Sequence, residues 1–186
     1  MSGPHVIALY SPAPRSGKST VANELEQQMG YEIVSFAYPL KRMLEAFFEE
    51  AGFSPNEVDA IVHGDRKDYP LDMPGDYQTT YRHCAQTLGT EWGREYIDPD
   101  VWVEIAMRKI KRGHRGIVVD DMRMPNEYAA LKRVGARMVY IVRPGASPPN
   151  GHSSEGSLSG FKWDAIIAND YGVDELKAAA RALTKI

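Results

Sequence analysis

Short apolar runs alternate with stretches of helical periodicity along the chain. His5-Val-Ile-Ala-Leu-Tyr10 is a continuous apolar run, as a strand buried on both faces requires, and a helical stretch to Met29 follows it. A second apolar run, Ile33–Ala37, meets Pro39, after which Leu40, Met43, Leu44, Phe47 and Phe48 recur at helical spacing. Ser54-Pro55-Asn56-Glu57 combines an N-cap, a proline at the first helical position and a capping-box glutamate, and so opens another helix. Gly64–Gln78 is rich in Gly, Pro, Asp and Lys and lacks periodicity, which predicts a surface loop. Thr79 or Thr80 caps the next predicted helix, running to about Arg94, and another is predicted over Pro99–Lys111. Gly116–Asp120 reads as the third strand, Asn126–Val134 as a helix and Arg137–Val142 as the fourth strand. Arg143–Gly160 is a Pro/Gly/Ser-rich loop, Ala165–Ala168 a short fifth strand, and Val173–Lys185 a closing amphipathic helix.

Strands that alternate with helices predict an α/β fold of three layers, with a five-stranded parallel sheet and helices on both faces. Residues 1–186 form one domain in this reading, with an extra helical insertion at about 39–112, between the second and third strands.

Composition narrows the functional classes. Lys plus Arg number 22 against 25 for Asp plus Glu, a formal charge of -3, so no strong basic field exists to hold nucleic acid through its phosphates. The one cysteine, Cys84, excludes an internal disulfide, and the five histidines lack paired ligand spacing, which argues for a reduced, cytoplasmic setting without a zinc site. The longest apolar runs fall far short of the roughly 20 residues of a membrane helix, and no basic-then-apolar signal opens the chain.

Candidate chemistry gathers in three places. Gly17-Lys18-Ser19 ends a phosphate-loop pattern in which Pro12 stands where the first glycine is expected, with a strand before it and a helix after it. Backbone N–H groups from Arg15, Ser16, Gly17, Lys18, Ser19 and Thr20 at a helix N-terminus suit the phosphates of ATP; Lys18 neutralises charge and the Ser19 hydroxyl suits Mg²⁺. Pro12 and Pro14 stiffen this loop, and Arg15 faces either phosphate or solvent. Asp120-Asp121-Met-Arg123 lies at the carboxyl end of the third strand, where one acid can reach a phosphate-bound metal and the other serve structure; Asp121 is the choice for the metal. Arg82 and Gln86-Thr-Leu-Gly-Thr-Glu-Trp92-Gly-Arg94 place arginines that can clamp phosphate beside an aromatic ring that can stack on a base, although ion pairs and core packing account for such residues equally well when each is taken alone.

Leu88-Gly-Thr-Glu-Trp-Gly-Arg94, Asp121-Met-Arg-Met-Pro-Asn-Glu127, Phe36-Ala-Tyr-Pro-Leu-Lys41 and the partial phosphate loop, in this order, resemble the bacteriophage deoxynucleoside monophosphate kinases over residues of about 5 to 180. The resemblance implies a P-loop kinase fold that moves the γ-phosphoryl group of ATP, with Mg²⁺, onto a deoxynucleoside 5′-monophosphate. It assigns Lys18, Arg94, Asp121 and Arg123 to catalysis, Ser19 and Asp121 to the metal, and Arg15 to Thr20 with Asn169 to ATP. It assigns Lys41, Arg82, Gln86, Trp92, Arg94, Arg123 and Glu155 to the acceptor, making the helical insertion its binding region. His152-Ser-Ser-Glu155 resembles the family's His-x-Ser-Glu element, so that the loop at about 143–160 corresponds to a closing lid in which Arg143 and Glu155 act.

A monophosphate is already an anionic nucleophile near neutral pH, so transfer needs positioning and charge neutralisation more than a general base. Two other readings stay open at this level: a P-loop kinase for a hydroxyl acceptor, with Asp120 or Asp121 as base, and an ATP-dependent switch module. The base accepted is not legible here. Apolar positions of the insertion, Phe47, Phe48, Ile61 and Val62, suit a homodimer contact as readily as core.

Overall fold

The computed structural model describes residues 5–75, 78–145, 158 and 160–184. In chain order the elements are β1 (Val6–Tyr10), α1 (Lys18–Met29), β2 (Glu32–Val34), α2 (Tyr38–Glu50), α3 (Pro55–Val62), β3 (Leu71–Asp72), β4 (Gln78–Thr79) and α4 (Tyr81–Gln86). A π-helical segment, Thr87–Ile97, continues α4, followed by α5 (Val101–Arg112), β5 (Ile117–Val119), α6 (Pro125–Arg133), β6 (Arg137–Val142), β7 (Ala165–Ala168) and α7 (Val173–Ala182). The chain divides into two compact units, one of Met1–Phe36 with Val103–Ile186, the other of Ala37–Trp102.

The first unit is a five-stranded, all-parallel sheet in the order β2-β5-β1-β6-β7. Its central strand explains the layering. Val6, Ala8 and Tyr10 point into a core built with Val103, Met107 and Ile110 of α5 and Leu131 of α6, while Ile7 and Leu9 point into a second core with Val21 and Leu25 of α1 and Leu176 of α7. Alternate residues of a strand face opposite ways, so a run apolar at every position demands helices on both faces. Because the strands are parallel, the loops leaving β1, β5, β6 and β7 all lie at the sheet's carboxyl edge.

Strand β2 is shorter than the apolar run Ile33–Ala37 predicts. Ser35 and Phe36 leave the ladder because the Ser35 hydroxyl (2.5 Å) and the Phe36 N–H (2.9 Å) donate to the Asp121 carboxylate. At the other side of the sheet, Asp164 exchanges two bonds with Met138: its N–H donates to the Met138 carbonyl and its carboxylate accepts the Met138 N–H, each at 2.8 Å. The Lys132 ammonium lies 2.9 Å from the same carboxylate. Burial alone would raise the Asp164 pKa, but the Met138 N–H and the Lys132 charge outweigh it and hold the carboxyl below its usual range.

The second unit packs Leu40, Leu44 and Phe48 of α2 against Val58, Ile61 and Val62 of α3, with Tyr81 and Trp102 completing the core. Ser54 and Glu57 form the expected capping box at the start of α3. Phe48, Ile61 and Val62 are therefore core residues, and of the four dimer candidates only Phe47 is exposed. The segment expected as irregular loop contains a small antiparallel hairpin, β3 paired with β4. The helix expected to run from Thr80 to Arg94 is α-helical only to Gln86; beyond it the backbone widens, as in the Asp98 N–H to Gly93 carbonyl bond of 3.0 Å.

Two glycines of this segment are there for close approach. A Cβ on Gly89 would sit 2.8 Å from Leu40, and one on Gly93 2.6 Å from the Trp102 ring. The Trp102 indole donates to the Gly89 carbonyl at 2.8 Å, so Leu88-Gly-Thr-Glu-Trp-Gly-Arg94 packs around one buried tryptophan.

Candidate active site

Between β1 and α1 the chain turns through Arg15 (φ 55) and Gly17 (φ 104). Only glycine suits position 17, since beyond its left-handed φ a Cβ there would meet Leu176 at 2.7 Å and the Asn169 amide at 2.8 Å. Gly17 is the N-cap of α1, and no side chain caps the first turn, which leaves that turn suited to an anion. With Pro12 in the place of the first glycine, the left-handed turns fall later, at Arg15 and Gly17.

Two long-range bonds fix this loop. Asn169 donates its amide to the Ser16 carbonyl (2.9 Å), and Arg143 donates to the Arg15 carbonyl (2.8 Å). Around them lies a cavity of about 640 Å³ lined by Arg15, Ser16, Gly17, Lys18, Ser19 and Thr20 on one side. Arg143, Pro144, residues 169–173 (Asp170 and Tyr171 among them) and Leu176 line the remainder. Ser16 is 1% exposed, and its hydroxyl has no hydrogen-bond partner among the described residues. A buried hydroxyl left so in a cavity wall calls for a partner, which a bound ligand or a water can supply.

The six residues expected at ATP and Asn169 are thus together, although Asn169 spends its amide on the loop backbone. Its neighbour Tyr171, 83% exposed, offers the cavity a ring that no motif along the chain singles out.

Asp121 and Arg123 follow β5 at the same carboxyl edge. Asp121 is held by Ser35 and Phe36 as described. Arg123 is exposed, and its N–H (2.6 Å) and that of Met124 (3.0 Å) donate to Glu127, a buried carboxylate. Glu127 is a site-shaping residue that sequence reasoning passed over, although Pro125 followed by Glu127 is an ordinary helix-start signal. Among the described residues no cluster of three or more His, Cys, Asp or Glu could hold a metal.

In the second unit, Trp92 is 42% exposed and lines another cavity, of about 580 Å³. Lys41 is partly buried on α2, Gln86 exposed on α4 and Arg94 partly buried in the π-helical segment; none of them lines that cavity. Arg82 makes a two-pronged ion pair with Asp68, whose carboxyl the guanidinium holds below the usual range. Glu155 lies outside the described residues, as does most of the expected lid, residues 146–157 and 159.

The family model of deoxynucleotide monophosphate kinases matches residues 72–180. The chain belongs to that family. A deoxynucleotide monophosphate kinase of Enterobacteria phage T4 is 28% identical over 113 residues, which are 59% of this chain and 47% of that protein, so the chain spans about half of that relative. A protein of Acanthamoeba polyphaga mimivirus, provisionally given the same name, is 28% identical over 177 residues, 86% of each chain. Among solved structures, a dephospho-CoA kinase from Campylobacter jejuni shares 11% identity over 97% of this chain and 95% of its own, with a TM-score of 0.48. No helix among the described residues is long and apolar enough to cross a membrane.

Proposed function

We propose that this member of the kinase family transfers the γ-phosphoryl group of ATP to the phosphate of a deoxynucleoside 5′-monophosphate, giving the diphosphate, with the cavity around residues 15–20 as donor site. The observation that carries the reading is the loop itself: a left-handed Gly17 opening α1, Lys18 and Ser19 in its first turn, and a buried Ser16 hydroxyl unspent in the wall. Backbone N–H groups in that arrangement cradle phosphate oxygens, and the Lys18 ammonium offsets the charge that spreads over the transferred group.

The residues fit Mg²⁺ delivered on the nucleotide rather than bound by protein alone. The Ser19 hydroxyl would hold the ion, and Asp121, fixed by Ser35 and Phe36, would supply a carboxylate beside it. Such an ion would supply positive charge against the donor phosphates. Tyr171 and Val173 supply the flat and apolar surface for adenine, while Asn169 and Arg143 hold the loop backbone in its anion-binding shape. Arg123, presented by the Glu127-capped turn, and Arg94 neutralise the acceptor and the moving phosphoryl group, and Lys41, Arg82, Gln86 and Trp92 serve the acceptor. The acceptor phosphate is itself the nucleophile, so no side-chain base is required.

The test is deoxynucleotide-dependent release of ADP from ATP and Mg²⁺, with Lys18→Ala beside the wild type. A stimulated rate that falls on the order of 10³-fold in the mutant supports the assignment; a mutant within threefold of wild type contradicts it.

A further inference from the structure

The formal charge of -3 is an average over two units of opposite character. In Ala37–Trp102 acids outnumber bases by about two to one, so the cations gather in the first unit, most densely at the end of α5. Arg108-Lys-Ile-Lys-Arg-Gly-His-Arg115 carries five Lys and Arg and no acid. All five cations and His114 are exposed, whereas Ile110, the one large apolar side chain of the run, is 1% exposed. Lys109 pairs with Glu32 of β2 at 3.0 Å, which seats this end of α5 on the sheet. Arg108, Lys111, Arg112 and Arg115 pair with no carboxylate among the described residues.

Position and number set this cluster apart from ordinary helix capping. The turn at 113–116 leads from α5 into β5, and the Glu32 N–H at the start of β2 donates to the Gly116 carbonyl (2.8 Å). The cluster therefore stands at the amino edge of the parallel sheet, the edge away from the phosphate loop. Arg133, exposed and likewise paired with no carboxylate among the described residues, ends α6 at the same edge. The helix dipole favours cations in a last turn, but Arg108 lies three and four residues from Lys111 and Arg112, a spacing at which like charges repel. A bound polyanion would relieve what the fold leaves uncompensated.

We propose that this edge is a docking surface for nucleic acid, held through its backbone phosphates without reading of sequence. Two observations select that occupant. Three of the five cations are arginines, whose planar fork grips phosphate oxygens in pairs. With Ile110 buried, the run exposes no large apolar side chain, so it offers neither the hydrophobic centre of a protein interface nor an anchor into lipid; a surface both polar and positively charged is what nucleic acid meets. The inference goes beyond the kinase reading and stands on a different edge of the sheet. It also bounds the charge argument: a net negative chain excludes phosphate contact over its whole surface and leaves one face for it.

The test is fluorescence anisotropy of a short labelled duplex and its single strand across a salt series. The wild type is expected to bind with a dissociation constant on the order of 10⁻⁵ M at low salt, whatever the sequence, with log affinity falling against log salt at a slope of about −3 to −4, as four phosphate contacts require. The triple variant Arg108→Gln/Arg112→Gln/Arg115→Gln is expected to bind about tenfold or more weakly and to flatten that slope by about 3. Its melting temperature and ADP release should be unchanged, since none of the three residues lines either cavity. Lys18→Ala should bind nucleic acid as the wild type does. Absence of binding at low salt overturns the proposal, and so does a triple variant that binds like the wild type. Loss of binding in Lys18→Ala alone would place the nucleic acid in the phosphate loop and overturn it as well. Polyglutamate held as tightly as the duplex through the same arginines would make the partner an acidic protein, and phosphatidylserine vesicles bound in preference to the duplex would make it a membrane; either result overturns the assignment.

Discussion

At Gly17 two requirements meet: a φ of 104° and the side chains of Leu176 and Asn169 where a Cβ would stand. Gly17→Ala should therefore weaken ATP binding at least tenfold, about 1.4 kcal/mol or more, while a fold built on two large cores still melts cooperatively; calorimetric titration with ATP beside a thermal scan checks both. Asn169 acts on the same loop from behind. Asn169→Ala should raise the KM for ATP and leave the KM for the acceptor unchanged, since the lost bond holds the Ser16 carbonyl and touches no acceptor residue; steady-state kinetics with each substrate varied in turn would show the split. Gly17-Lys18-Ser19 was readable because its chemistry is local, three neighbours between a strand and a helix. The working partners of Asn169 and Asp121 were not, because Ser16 lies 153 positions from Asn169 and Ser35 lies 86 from Asp121, and spacing along a chain carries no signal at that range.

Elements follow the apolar pattern wherever one pattern governs them. The fourth and fifth strands, Arg137–Val142 and Ala165–Ala168, match their apolar runs end to end, since every residue of the edge strand pairs with the ladder of its inner neighbour. The second strand stops early because a carboxylate 85 positions away outbids the ladder for the Phe36 N–H. The π-helical widening after Gln86 keeps the apolar spacing of a helix, so periodicity cannot reveal it; its cause is tertiary, Gly89 and Gly93 pressed against Leu40 and Trp102. Gly93→Ala should accordingly destabilise the unit by about 1–3 kcal/mol through overpacking on Trp102, measurable by urea melting with Trp fluorescence. Asp164 ties β6 to the turn before β7, and its carboxyl is held below the ordinary range. Stability from a depressed carboxyl is complete above the unfolded value, about 3.9, and is lost as pH falls through the lower folded one. Asp164→Asn should therefore lower stability at neutral pH, by less than about 1 kcal/mol because the carboxylate is partly in water, and flatten the loss below about pH 4; chemical melts of both proteins across that range would show it.

At the scale of the whole molecule, two cavities among the described residues differ in character, each inside its own unit: one polar and built on the N-terminus of α1, the other apolar and without formal charge. The alternation of strands and helices announced the parallel sheet, and the helical spacing of apolar residues after Pro39 announced α2. Neither announced the apolar cavity, whose lining comes from four separate stretches between Met43 and Trp92 and forms no linear motif. The phosphate-loop cavity in one unit and the neutral aromatic cavity in the other are compatible with transfer of a terminal phosphoryl group from one nucleotide to another, the reaction for which the family is named. Identification of the product separates it from its rivals most directly. Phosphorus NMR of ATP, Mg²⁺ and a deoxynucleoside monophosphate incubated with the protein should show the monophosphate signal replaced by the paired resonances of a new diphosphate, in step with ADP. A free phosphate signal in place of that pair, with the monophosphate untouched, would show ATP hydrolysis without transfer and contradict the account.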